Sequence, residues 1–143
     1  MSTILPLSEI CAERDVDPVD QRQRLLALLK AGADIHATDK NGVTALHHAV
    51  RFRNPAAVQT LIEHGANVNQ ACRRSGSTPL HRAVTTTGAP GTASKQAEAR
   101  QIVQLLLAAG ADPAIANRSG KMPHDYTTDD TIRQLLVEAT KRK

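Results

Sequence analysis

Apolar and polar positions along the chain fall into short bursts with a helical period. In Asn54-Pro55-Ala56-Ala57-Val58-Gln59-Thr60-Leu61-Ile62-Glu63-His64, the residues Ala57, Val58, Leu61 and Ile62 occupy positions i, i+1, i+4 and i+5, an apolar stripe on one side of a helix. Asn54 is placed to cap it and Pro55 to open its first turn, where a missing N–H costs nothing. Gly65 supplies the left-handed residue that ends it. Leu25, Leu28 and Leu29 predict a similar helix after the Asp17-Pro18 step.

Two words recur in fixed order. Gly42-Val43-Thr44-Ala45-Leu46-His47-His48-Ala49-Val50 returns 34 residues later as Gly76-Ser77-Thr78-Pro79-Leu80-His81-Arg82-Ala83-Val84. Thr44 and Thr78 sit at helix starts, where a hydroxyl accepts from free backbone N–H groups; Pro79 then takes the first helical position. Leu46, Leu80, Ala49 and Ala83 point inward, the alanines letting helices approach closely. The second word is Leu28-Leu29-Lys30-Ala31-Gly32-Ala33-Asp34, repeated around Gly65 after 33 residues and around Gly110 after a further 45. Gly120-Lys121-Met122-Pro123-His124-Asp125 is a degenerate third copy of the first word. A locked order of repeated words is the signature of a stacked array.

These words carry a family resemblance. Thr-Pro-Leu-His-x-Ala at 78–83, its variant at 44–49, and Leu-Leu-x-x-Gly-Ala-Asp at 28–34 and 106–112 resemble the ankyrin-repeat pattern over nearly the whole chain. The resemblance implies an all-α repeat solenoid of helix-turn-helix units with hairpin or loop fingers, as expected where one helix pair cannot bury its own stripe. The expected units are an N-terminal cap at 1–37, repeats at 38–71 and 72–116, and a C-terminal cap at 117–143. In such a stack Thr44, Leu46, His47, Thr78, Pro79, Leu80, His81, Gly32, Gly65 and Gly110 are structural, the motif histidines joining a helix start to the neighbouring loop.

The departures are as informative. The second full repeat is eleven residues longer than the first, the excess lying at about 86–97. Thr85-Thr86-Thr87-Gly88-Ala89-Pro90-Gly91-Thr92 reads as a loop, whereas Ser94-Lys95-Gln96-Ala97-Glu98-Ala99-Arg100-Gln101 reads as a backward extension of the second helix. In the last unit His124 stands where Leu46 and Leu80 stand, and Met122 replaces the capping Thr, so that helix pair is expected to be weak. The N-terminal unit has only Leu5-Pro6-Leu7-Ser8 as a first word. Cys72 reads as an extra residue in its finger.

Composition narrows the function. Of 143 residues, aromatics make up 1%, with Phe52 and Tyr126 the whole supply, so the core must be aliphatic and base-stacking platforms are scarce. No apolar run approaches the about 18 residues of a membrane helix, and the N-terminal stretch lacks a secretion signal, so a cytoplasmic protein is expected. Cys11 and Cys72 are far apart and form no CxxC, which suggests neither a disulfide framework nor a zinc site. The net charge of +4 is uneven: residues 1–63 hold seven basic and eight acidic residues, whereas 64–97 hold Arg73, Arg74, Arg82 and Lys95 and no acid.

No catalytic constellation emerges. His47 and His48 are adjacent, not the i, i+4 pair of a zinc helix. His64 precedes a helix-ending glycine, where a cation suits the helix dipole. Asp129-Asp130 reads as a helix cap. The expectation is a non-enzymatic chain without metal or cofactor. Surfaces remain, and the ankyrin resemblance places binding on finger tips and the exposed side of the first helices. Carried over, the fingers offer Lys40, Asn41 and Val43, then Arg73, Arg74, Ser75 and Ser77, then Arg118, Ser119 and Lys121. The first helices offer Arg51, Phe52, Thr85 and Thr86. The leading expectation is a monomeric protein-binding module whose partner carries an acidic patch. The alternative, a nucleic-acid or polyanion binder, draws on the same fingers but lacks the aromatic platforms single-strand binders use.

Overall fold

The computed structural model describes residues 6–11, 17–84, 96–127 and 129–141, and among them there is no strand. The helices are α1 (Pro6–Cys11), α2 (Pro18–Lys30), α3 (Ala45–Arg51), α4 (Pro55–Glu63), α5 (Pro79–Val84), α6 (Gln96–Ala108) and α7 (Asp130–Lys141), with one 3-10 turn at Pro123–Asp125. They form two layers. Helices α1, α3, α5 and the 3-10 turn pack in sequence as the inner layer, and α2, α4, α6 and α7 as the outer. Each inner helix rests on its outer partner, so an all-α solenoid results.

Local chemistry dictates where the helices begin. The backbone N–H of His47 donates to Thr44 Oγ1 (3.3 Å), and the Thr44 N–H donates back to His47 Nδ1 (3.1 Å). This is a capping box with imidazole in place of the usual carboxylate. Asn54 caps α4 by accepting from Ala57 N–H at 3.1 Å, with Pro55 in the first turn. Helices α2, α4 and α6 end on left-handed glycines: Gly32, Gly65 and Gly110 have φ of +98°, +89° and +96°.

The core is aliphatic from end to end. Leu7, Cys11, Leu25, Leu46, Val50, Val58, Leu61, Leu80, Ile102, Leu106, Ile132 and Leu136 form one continuous buried cluster. Polar ties cross it. Gln21, buried, donates to Ile10 C=O (2.8 Å) and accepts from Asn54 Nδ2, joining α1, α2 and the start of α4. Arg53, buried with φ +54°, donates to Val50 C=O (2.9 Å) and Arg82 C=O (3.0 Å), tying the end of α3 to α5. On the outer layer Arg22 pairs with Glu63 at 3.2 Å and Arg100 with Asp129 at 2.7 Å.

The irregular parts follow from their residues. Helix α1 fills the first inner position with Leu7 and Cys11 buried. Helix α6 has 13 residues against 9 in α4, a backward extension of one turn; the rest of the insertion lies outside the described residues. In the last unit the inner helix shrinks to the 3-10 turn, and His124 Nδ1 is buried without a hydrogen-bond partner.

Candidate protein-binding face

The loops entering α3, α5 and the 3-10 turn form three fingers. In the first, Asp39 N–H donates to Val43 C=O (3.1 Å), while Asp39 Oδ1 accepts from the N–H groups of Asn41 (2.8 Å) and Val43 (3.1 Å). In the third, Asn117 N–H donates to Lys121 C=O (2.8 Å), and Asn117 Oδ1 accepts from Ser119 and Lys121, both at 3.0 Å. In the second, Cys72 N–H donates to Ser77 C=O at 2.9 Å. Cys72 therefore stands in the register of Asp39 and Asn117 and is not the extra residue; the finger's added length falls in the turn Arg73-Arg74-Ser75. The Cys72 sulfur takes over the carboxylate's task. Its Sγ lies 3.1 Å from Ser75 Oγ and 3.9 Å from Arg82 Nη2. Burial works to raise its pKa, but the Ser75 hydroxyl, the N–H groups of Ser75 and Ser77, and Arg82 together lower it to about 7.

Adjacent fingers are joined through their main chains. Arg73 N–H donates to Asn41 C=O (2.6 Å) and Arg118 N–H to Ser75 C=O (2.9 Å), while Arg118 Nε donates to Arg73 C=O at 2.7 Å. Glycine is required twice over at each junction. Gly42 has φ +74° and an added Cβ would lie 2.8 Å from Arg73 N; Gly76 has φ +70° and would meet Arg118 N at 3.0 Å.

The second link between units is the motif histidine. Because Nδ1 of His47 accepts a backbone N–H, its proton sits on Nε2, which donates to Ser77 C=O at 3.1 Å. His81 repeats the arrangement with Thr78 N–H (3.1 Å) and Lys121 C=O (2.8 Å). Burial above all lowers the His47 pKa to about 4, with Arg82 and His48 adding to the effect against the Ser77 carbonyl. His81 is lowered for the same first reason. Each ring thus links the start of its inner helix to the next finger.

Most residues expected on the face are presented to solvent. Lys40, Arg73, Arg74, Ser75, Arg118, Ser119 and Lys121 are exposed; Asn41, Ser77, Arg51 and Phe52 are half-buried, and the Arg51 guanidinium lies 5.8 Å from the Phe52 ring centroid. Val43 is a correction. It is only 8% exposed, in a turn where its N–H is held by Asp39 Oδ1, and so is not available on the surface. Thr85 and Thr86 lie outside the described residues. Two residues were missed: His48 and Arg82, each one position after the motif histidine on the inner helix. The pKa of His48 is lowered chiefly by burial, with Asp39 raising it and Arg82 and Arg51 lowering it, so it shares its surroundings with both arginines. Their equivalence at 34 residues apart was the available signal. Among the described residues, no group of three His, Cys, Asp or Glu side chains is placed to hold a metal, and no helix is long and apolar enough to cross a membrane.

A family model described as ankyrin repeats (3 copies) matches residues 19–117. The chain belongs to the ankyrin-repeat family. Ankyrin repeats are protein–protein interaction modules on a non-catalytic scaffold. This chain is 33% identical over 114 residues to BCL-6 corepressor-like protein 1 of Homo sapiens, covering 80% of this chain and 6% of that protein. It is 39% identical over 113 residues to neurogenic locus notch homolog protein 4 of Homo sapiens, covering 78% and 4%. The chain thus spans a small fraction of these relatives. Among solved structures, an ankyrin repeat domain from Acinetobacter baumannii AYE is similar with a TM-score of 0.77 and 30% identity, covering 94% of this chain and 63% of that one. The ankyrin repeat domain of Bcl-3 is similar with a TM-score of 0.69 and 31% identity, covering 83% and 47%.

Proposed function

We propose that this ankyrin-repeat chain is a monomeric, cytoplasmic binding module that takes an acidic patch of a protein partner on its finger and inner-helix face. Its working units are caps at 1–37 and 117–143 flanking repeats at 38–71 and 72–116. The observation that carries the reading is the row of exposed cations on fingers held together by main-chain hydrogen bonds. A rigid row loses little entropy on docking, and its charge speeds encounter with a negative surface. Arg73, Arg74 and Arg118 suit bidentate carboxylate recognition; Arg51 and Arg82 extend the positive character onto the inner helices. Phe52 is the one large apolar side chain beside them.

The test is a double reversal, Arg73→Glu with Arg74→Glu, compared with the unaltered chain in capture from lysate before and after nuclease treatment. A nuclease-resistant protein partner should be retained by the unaltered chain and lost by the double variant, at nearly the same melting temperature. Its association should slow as salt rises. Retention that vanishes with nuclease would favour the polyanion reading. Capture indifferent to both salt and reversal would move the binding site elsewhere.

A further inference from the structure

The fingers are not merely basic; they repeat a cation at one position. Lys40, Arg73 and Arg118 each directly follow the residue that closes its finger, Asp39, Cys72 and Asn117, and all three are exposed. Each finger contributes two backbone segments side by side, and hydrogen-bonded segments lie about 4.8 Å apart, so equivalent positions recur about every 10 Å. Packed helices beneath impose a similar repeat, roughly 8–10 Å. The hydrogen bonds from Arg73 N–H to Asn41 C=O and from Arg118 N–H to Ser75 C=O fix the fingers against one another. Arg118 is steadied further, since its Nε is bound to Arg73 C=O. The three charged positions therefore follow one another along the fingers at about that repeat.

A polyproline II segment has three residues per turn and rises about 3.1 Å per residue, so every third side chain falls on one face about 9.3 Å apart. A β-strand cannot match this, because residues three apart point to opposite faces. An amphipathic helix needs an apolar groove for its apolar face, and the finger tips offer Lys40, Asn41, Arg73, Ser75, Arg118 and Ser119, all polar. We propose that the finger row binds an extended, polyproline II-type acidic segment of a protein partner, with carboxylates at every third residue meeting Lys40, Arg73 and Arg118 in turn. This rests on the reading that the finger face is the protein-binding face, and it adds a spacing rule.

The probes are fluorescein-labelled synthetic peptides followed by anisotropy at low salt against the whole chain. One carries three Glu at i, i+3 and i+6 in a Pro-rich background. An isomer of identical composition clusters the three Glu, and a third, helical peptide carries Glu at i, i+7 and i+14. The three-spaced peptide should bind at least about tenfold more tightly than the clustered isomer. Lys40→Gln with Arg118→Gln should erase that preference, whereas Arg73→Gln should weaken both peptides alike. These side chains are exposed, so melting should change little, with the largest shift in the variant that carries Arg118→Gln, which loses the bond to Arg73 C=O. Equal binding of the two isomers, or tighter binding of the helical peptide, would overturn the spacing rule. If that happens while the Arg73→Glu, Arg74→Glu double variant still loses its protein partner, the binding face stands and the extended segment falls. If the double variant also keeps its partner, both readings fall.

Discussion

At Thr44 and Thr78 an inner helix begins with a hydroxyl and an imidazole acting together; at Met122 the third copy of the same word begins with neither. In the first two, the histidine performs two tasks. Nδ1 accepts the N–H of the capping threonine, and Nε2 donates to the next finger, Ser77 C=O for His47 and Lys121 C=O for His81. In the third, Asp125 Oδ2 accepts Met122 N–H at 2.8 Å, so the helix-start task survives. The donor task cannot, because a carboxylate has no proton to give a carbonyl. The comparison separates two functions that the motif fuses. Starting a helix needs only an acceptor, whereas a side chain that also reaches the next finger's carbonyl must carry a donor, and a neutral imidazole does both. The third copy also puts His124 where Leu46 and Leu80 sit, and there the helix contracts to a single 3-10 turn.

The sharpest break of that comparison is truncation at the shared leucine position. Leu80→Ala should cost about 2–5 kcal/mol, the usual cost of a core cavity, since Leu80 is fully buried against its neighbours. His124→Ala, at the equivalent place in the last unit, should cost under about 1 kcal/mol, because it deletes no comparable apolar surface and removes the buried Nδ1. The converse change, His124→Leu, should raise stability by about 1 kcal/mol. Denaturant melts of the three variants settle the order. Equal losses at Leu80 and His124 would show that the last unit packs as fully as the others.

The next test is pH. In the unfolded chain His47 titrates near 6.5, but burial holds the folded ring to about 4. A histidine with a lowered folded pKa stabilises the neutral-pH state, and that stability is lost as pH falls through 6.5 and on to about 4. Protonation puts a hydrogen on Nδ1, which then repels the Thr44 N–H it had accepted. The loss should be on the order of 2–4 kcal/mol for His47, with His81 and His48 shifted in the same direction. His47→Gln retains an acceptor suited to a capping box, so it should be less stable at pH 7 yet show a shallower acid slope. A slope unchanged by that variant would place the acid sensitivity on other groups.

The sequence made the scaffold legible because repetition amplifies weak signals. Thr44, Asn54, Gly65 and the Leu46/Leu80 pair each state a local rule, and their fixed spacing makes the rules agree. The ties that cross between units left no such trace. Gln21 is polar and sits on the helix carrying Leu25, so nothing in the periodicity marks it as buried; only the facing Ile10 carbonyl and Asn54 amide make burial tolerable. Arg53 was equally silent, since a buried arginine depends on the Val50 and Arg82 carbonyls supplied by two different helices. On the face, spacing alone makes Cys72 the added residue of its finger, whereas the added length falls in the turn after it. The Cys72 N–H to Ser77 C=O bond decides that. Spacing likewise could not say that Val43 is buried.

Carried from helix starts to fingers, the comparison becomes one of turn closure: carboxylate at Asp39, amide at Asn117, sulfur at Cys72. The first two accept from residues two and four positions on. Cys72 serves Ser75 and Ser77, each one position further because the turn is one residue longer, and with Arg82 and the Ser75 hydroxyl they hold its pKa at about 7. Thiolate is the better acceptor, so the closure should tighten as the group ionises. The folded pKa is depressed below the unfolded value of 9.0. Stability from this group is therefore fully present above about 9 and is lost as pH falls through 7, by on the order of 1 kcal/mol. Thiolate absorbance near 240 nm, followed in a Cys11→Ser background, should rise with a midpoint close to 7. Cys72→Ala should remove that rise together with the gain in stability between pH 7 and 9. A midpoint near 9 would mean that the sulfur merely fills space at the finger base, and that the main-chain bond to Ser77 alone closes the turn.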